Sequence, residues 1–173
     1  VILDVEATRS SRTAVVGATR TMIARTRDRF GLSPERLAAD TASGSGDMLG
    51  WLVGEGIEPH SPVNDTSERR DGTFSNAEFH YDTERDEYIC PGGKALKKYW
   101  RKMKTPRDGI GKDGLRKYFA RKQDCSSCAL KEQCTPNQPT RKISRHVHEA
   151  ARDAARRIVT TDAYADASRR RKK

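Results

Sequence analysis

Two groups of residues in this chain have the types and spacing to do chemistry. The first is the stretch Leu37-Ala-Ala-Asp-Thr-Ala-Ser-Gly-Ser-Gly-Asp47, in which a short apolar run ends in the carboxylate of Asp40 and a Gly/Ser loop follows. The run reads as a buried strand, and the loop opens into a helix that begins near Asp47. Ligands of open α/β sheets bind outside the carboxyl ends of the strands, so Asp40 stands where a metal or substrate would meet it. The plainer alternative is that Asp40 caps the turn and Asp47 the helix.

The second group is the full cysteine complement, Cys90, Cys125, Cys128 and Cys134, spaced C-x34-C-x2-C-x5-C. Cys90-Pro-Gly-Gly93 is a tight turn, Cys125-Ser-Ser-Cys128 is another, and Cys134 follows shortly after. Zn2+ takes four soft ligands in a tetrahedron, and short spacings on turns supply them. Disulfides are the first alternative, but nothing in the sequence suggests export. A redox Cys-x-x-Cys needs a thioredoxin-like setting that the flanking sequence lacks. Unliganded thiols remain as the third. His60, His146 and His148 could ligate metal or touch phosphate, although single histidines are more often ordinary packed or surface residues.

The elements that must position these groups can be read in chain order. Val1–Ala7 is apolar and β-branched, as a strand would be. Thr13 can cap a helix over 14–30 that Gly31 ends. Residues 37–40 form a second strand, Met48–Val53 a short apolar helix, and Ile57–Val63 an edge strand whose prolines cannot donate to a ladder. The order β-α-β-α-β predicts three parallel strands with right-handed crossovers. Past residue 63 the character changes. Residues 79–81 and 87–90 read as two strands, and a basic run with interleaved aromatics precedes the Cys-x-x-Cys turn. From Ser144 a helical period returns, interrupted at Thr160-Thr-Asp162.

At 173 residues, 34% hydrophobic and 34% charged, the chain has material for a modest core and a large solvated surface. Val1 already lies in a strand-like run, so a piece of a longer chain is expected. No apolar stretch approaches the ~20 residues of a membrane span. The net charge of +10 is concentrated: residues 94–122 carry twelve basic and two acidic side chains, and 141–173 carry eleven and four. Such sections suit a polyanion, most often nucleic acid. Within 94–122 the expected phosphate contacts are Lys97, Lys98, Arg101, Lys102, Arg116, Lys117, Arg121 and Lys122. The alternative is a solvated loop whose charge keeps the chain soluble.

Val1-Ile-Leu-Asp-Val-Glu-Ala-Thr8, Leu37-Ala-Ala-Asp-Thr-Ala-Ser-Gly-Ser45, Tyr88-Ile-Cys-Pro-Gly-Gly-Lys94 and Asp124-Cys-Ser-Ser-Cys-Ala-Leu-Lys131 together resemble bacterial insertion-sequence transposases of the DDE type. Arg141-Lys-Ile-Ser-Arg-His-Val-His-Glu-Ala-Ala151 and the closing Arg169-Arg-Arg-Lys-Lys173 fit the same resemblance. It covers nearly the whole chain and implies a partial RNase H-like α/β fold with a four-cysteine insertion and C-terminal helices. The implied domains are a core fragment over 1–63, a basic, zinc-bearing insertion over 64–143, and a helical segment over 144–173 that returns to the core. Asp40 would be the second Asp of the Asp-Asp-Glu triad, holding Mg2+ or Mn2+ in the full-length enzyme. The first Asp is expected before Val1 and the Glu after Lys173, so one carboxylate of three is present and the chain is expected to be inactive alone. Ser43 stands where relatives tend to have Tyr.

The implied partners are DNA, as transposon ends and target, and further copies of the chain in a transposition complex. No membrane is implied, and the expected location is the bacterial cytoplasm, at the nucleoid. Two other function classes stay open: a non-catalytic zinc-stabilised DNA-binding module left by a truncated element, and a nucleotide-binding α/β domain in which Ser43-Gly-Ser-Gly46 cradles a phosphate. The glycines match neither a Rossmann nor a P-loop spacing, which weakens the last.

Overall fold

A computed structural model describes residues 2–65, 69, 71–101, 104–105 and 108–171. The chain divides into two compact units, one made of residues 1–64 and 148–173 and the other of residues 65–147.

In the first unit, helix α1 (Arg12–Phe30) starts where the Ser11 hydroxyl accepts the Ala14 N–H at 3.3 Å. The cap is thus two residues before the predicted Thr13. Gly31 ends the helix at φ 64°, a left-handed conformation that glycine adopts without a Cβ clash. Strand β1 (Arg36–Ala38) leads through a 3-10 turn (Thr41–Ser43) into helix α2 (Gly46–Gly54), and strand β2 (Glu58–His60) follows. β1 and β2 pair in parallel, Ala38 opposite His60. Ile23 of α1 packs with Met48, Leu52 and Ile57, with Leu37 and Val16 at the edge of this cluster. After the second unit the chain contributes α5 (Glu149–Val159) and α6 (Asp162–Arg171). Ala151 and Ala155 of α5 close on Leu49 of α2, small side chains that let the two helices approach. The break between α5 and α6 is Thr160-Thr161, one residue shorter than the predicted Thr160-Thr-Asp162, because Asp162 opens α6.

The first predicted strand does not form. Residues 2–9 follow no regular element, and Ile2 and Val5 are 83% and 74% exposed. A strand needs a neighbour for its N–H and C=O groups, and among the described residues none pairs with this segment. Its carboxylates serve α1 instead: Arg25 binds Asp4 at 2.8 Å and Glu6 at 2.6 Å. The parallel sheet therefore has two strands where β-α-β-α-β predicted three.

The second unit is a five-stranded antiparallel sheet in the order β3 (His80–Asp82), β4 (Glu87–Ile89), β5 (Ala95–Lys97), β6 (Leu115–Ala120), β7 (Lys142–His146). Two short helices, α3 (Lys122–Ser126) and α4 (Lys131–Cys134), lie between β6 and β7. The β3–β4 hairpin matches the predicted strands to within a residue or two. Strands β5, β6 and β7 were not foreseen, and β7 corrects the helix read from Ser144: the helical turn begins only after His148. One sheet face carries the core, formed by Phe79, Tyr88, Leu96, Tyr118, Ala120 and Ile143. The protein is thus mixed α/β, with a parallel pair in one unit and an antiparallel sheet in the other. No helix among the described residues is long and apolar enough to cross a membrane.

Candidate metal centre and nucleic-acid surface

Asp40 lies exposed two residues past Ala38, the carboxyl end of β1. Its Oδ1 accepts the Ala42 N–H at 3.0 Å and so caps the 3-10 turn. Ser45, not Asp47, caps α2, its hydroxyl accepting the Met48 N–H at 3.3 Å. The loop between them is held close: Asn64 N–H reaches the Gly44 carbonyl at 2.9 Å, and a Cβ on Gly44 would fall 1.9 Å from the Pro62 carbonyl oxygen. Glycine is required there for close approach. Among the described residues no group of three or more His, Cys, Asp or Glu side chains, around Asp40 or elsewhere, is arranged to hold a metal ion.

His60 is buried on β2, its Nε2 3.1 Å from Glu58 and its ring stacked with Tyr164. His146 is buried at the end of β7, against the backbone of Gly114. His148 precedes α5, with its ring against Gly50. The three histidines belong to separate surroundings.

The four cysteines, by contrast, line one cavity of about 30 Å³, shared with Lys94, Lys131, Asp124 and Arg141 among others. All four are free thiols. Cys90 Sγ accepts the Lys94 N–H at 3.3 Å across the Cys90–Gly93 turn, and the turn closes through Gly93 N–H on the Cys90 carbonyl at 2.8 Å. Gly92 sits between two of the sulfurs: a Cβ there would lie 3.7 Å from both Cys90 Sγ and Cys128 Sγ. Burial pushes the Cys134 thiol up from its ordinary value, and the Arg141 cation opposes that rise.

Arg141 itself is 3% exposed. Its guanidinium donates to the carbonyls of Cys134 (3.1 Å) and Phe74 (2.9 Å) and to Asn76 Oδ1 (3.3 Å), with its carbon 4.9 Å above the Phe79 ring. No carboxylate is among these hydrogen-bond acceptors. A buried cation held by carbonyls beside four thiols fits a site that becomes negative when the thiols ionise.

The expected phosphate contacts divide into two sets. Lys97 pairs with Glu87 at 2.9 Å, Lys98 pairs with Asp86, and Arg116 lies 3.6 Å from the same carboxylate. These three hold the sheet together internally. Arg101, Lys117, Arg121 and Lys122 are exposed. Lys102 lies outside the described residues.

Asp86, which the sequence pattern does not single out, is the polar centre of this unit. It adopts a left-handed φ of 49° in the β3–β4 turn, a conformation Asp tolerates better than most residues. Its Oδ1 accepts the hydroxyls of Tyr81 (2.8 Å) and Tyr118 (2.5 Å). Burial pushes its carboxyl up, but Lys98 and the two tyrosines outweigh that and hold it down to about 2. Burial, with Asp86 alongside, raises Tyr118 well above the usual tyrosine range.

Residues 89–173 match the family model described as Transposase DDE domain. No curated protein and no solved structure matches the chain. The matched segment runs from the end of β4 through the remaining strands, the cysteine-bearing helices, α5 and α6, and does not include Asp40.

Proposed function

From the match of residues 89–173 to the transposase DDE domain, we propose that this chain is a piece of an enzyme that cuts and joins DNA, with its DNA-holding and structural parts present and its catalytic carboxylates incomplete. The observation that carries the reading is the transposase DDE match itself. The parallel β1–β2 pair with helices packed on it is read as part of an RNase H-like core, supported by Asp40 at the carboxyl end of β1. Enzymes of this class use divalent ions to activate the attacking oxygen and stabilise the leaving one at phosphate. In this chain Asp40 alone would contribute to holding Mg2+ or Mn2+. A single carboxylate does not make a two-metal site, and no step is assigned to it.

Zn2+ in the second unit is the structural part of the proposal. Cys90, Cys125, Cys128 and Cys134 would hold it as thiolates, and Arg141, lining the same cavity, would offset their charge. The cavity of about 30 Å³ has room for an atom-sized occupant. Because no three ligands among the described residues are arranged for coordination as they stand, loading would draw the sulfurs inward to about 2.3 Å from the metal. Held by these four cysteines, Zn2+ would cross-link the β4–β5 turn to α3 and α4.

DNA is the proposed partner, and nucleoid association would follow from binding it. Arg101, Lys117, Arg121 and Lys122 supply phosphate contacts, since Lys97, Lys98 and Arg116 are engaged with acids of the sheet. Binding of a 30-base-pair duplex is measured over a salt series, for the wild type and for the variant with those four residues changed to Ala. The log–log slope is expected to become shallower by about 0.9 for each phosphate that the variant no longer neutralises, with little sequence preference. Equal affinity and slope for the two proteins would remove this surface from the reading. A second reading, a zinc-stabilised DNA-binding module without catalysis, is favoured by Asp40 serving as the cap of the 3-10 turn.

A further inference from the structure

One groove of the second unit has the chemistry of a base-stacking site. It is open, about 560 Å³, and is lined by Trp100, Ala120, Arg121, Lys122, Gln123 and Ser126, none of them acidic. That volume lies in the range of small-ligand sites. The Trp100 ring is fixed in place, because its Nε1–H donates to the Phe119 carbonyl at 2.8 Å. The Arg121 guanidinium lies 4.3 Å from the ring centroid and Lys97 Nζ 5.6 Å from it.

The surface continues along the sheet. Lys97 is opposite Phe119 across the β5–β6 ladder, and Phe119 is opposite Lys142 across β6–β7. Directly opposed residues share a face, so these three form a row on the side away from the aromatic core. Lys142 Nζ lies 5.7 Å from the Phe119 ring centroid. The result is two rings flanked by cations, beside a groove with a side-chain amide and a hydroxyl.

We propose that this groove and row bind unpaired nucleotides of a single-stranded polynucleotide, stacking bases at Trp100 and Phe119 and taking phosphates on Arg121, Lys122 and Lys142. Aromatic and guanidinium planes are reached by a base only when its face is free, which a continuous duplex does not offer. Phosphate contacts alone would serve any polyanion equally; the fixed indole makes the difference. The proposal rests on the DNA reading above and adds the strand state and the stacking residues.

The test uses the 173-residue chain with Trp51→Phe, so that Trp100 is the remaining tryptophan. Its fluorescence is followed on titration with a twelve-nucleotide oligothymidylate, a twelve-base-pair duplex, and polyphosphate. The expected result is quenching by the oligothymidylate, with affinity about tenfold above that for the duplex, and binding of polyphosphate without quenching. Because Trp100→Ala removes the indole bonded to Phe119 of β6 and risks unfolding the sheet there, the exposed Arg121→Ala and Gln123→Ala variants are titrated as well. Each is expected to weaken oligothymidylate binding severalfold, and Gln123→Ala to leave duplex binding unchanged. Duplex binding with no quenching by the single strand would overturn this inference and leave the DNA reading standing. Failure to bind either form would overturn both.

Discussion

The two units reach their folds by different means. The first buries aliphatic side chains: Met48, Leu49 and Leu52 of α2 are 0% exposed, and a two-stranded sheet and three further helices gather around them. The second has a longer sheet over a core in which Phe79, Tyr88 and Tyr118 are three of the six buried residues, and it fills the remaining interior with polar groups. Asp86 collects two tyrosines, a lysine and an arginine, Arg141 is buried among carbonyls, and four thiols surround a cavity. A unit of the first kind is completed by its own hydrophobic effect. The second kind leaves a cavity between its cysteines, apart from the polar centre at Asp86, and a cross-linking ion would contribute most there.

This contrast is broken most strongly from the first side. Leu52→Ala removes a fully buried side chain from the Ile23–Met48–Ile57 cluster, and is expected to cost about 2–5 kcal/mol. Urea unfolding followed by circular dichroism measures it. Thiol reactivity of the four cysteines, read in parallel, is expected to change little in native buffer. Exposure of all four thiols at the same step would show that the two units do not fold by separate means.

A smaller effect sharpens the second side. Asp86→Asn keeps an acceptor for the tyrosines and tolerates the left-handed turn, but removes the charge facing Lys98 and Arg116. Since the folded carboxyl titrates at about 2 against an ordinary 3.8, the stabilisation is of order 2 kcal/mol or somewhat less. Its folded pKa is depressed, so the contribution is whole above about pH 4 and is lost as pH falls toward 2. Acid unfolding of wild type and variant should therefore converge at low pH and separate near neutrality. A constant difference across the range would mean that Asp86 acts through shape and not charge.

How much of this could be read from the sequence differs between the units for a physical reason. In the first, the closing Gly31 marked the end of α1, the apolar run Met48–Val53 marked α2, and the run ending in Asp40 marked β1. The segment Ile2–Ala7 misled because β-branched residues report strand propensity, not the presence of a neighbour to pair with. In the second unit, Leu115–Ala120 carries apolar or aromatic residues on both faces, so it shows no clean alternation. Strand β7 hides its alternation in another way: Arg145, an inward position, covers the Tyr81 ring at 3.9 Å, so a cation stands where a strand would ordinarily show an apolar residue. The charge run over 94–122 was visible, but not that part of it is neutralised inside the sheet. Asp86 gave no signal short of its tertiary partners, which come from β3, the β5 end and β6. The Cys spacing did lead to one cavity, while Arg141 beside it is a placement that only the fold reveals.

The most direct test of this contrast is the metal content of the purified chain, with titration of its thiols before and after chelation. The expected result is about one equivalent of zinc per chain, four thiols protected until the metal is withdrawn, and loosening of the antiparallel sheet when it is. Less than about half an equivalent of zinc, with all four thiols freely titratable in a sheet that remains folded, would contradict it.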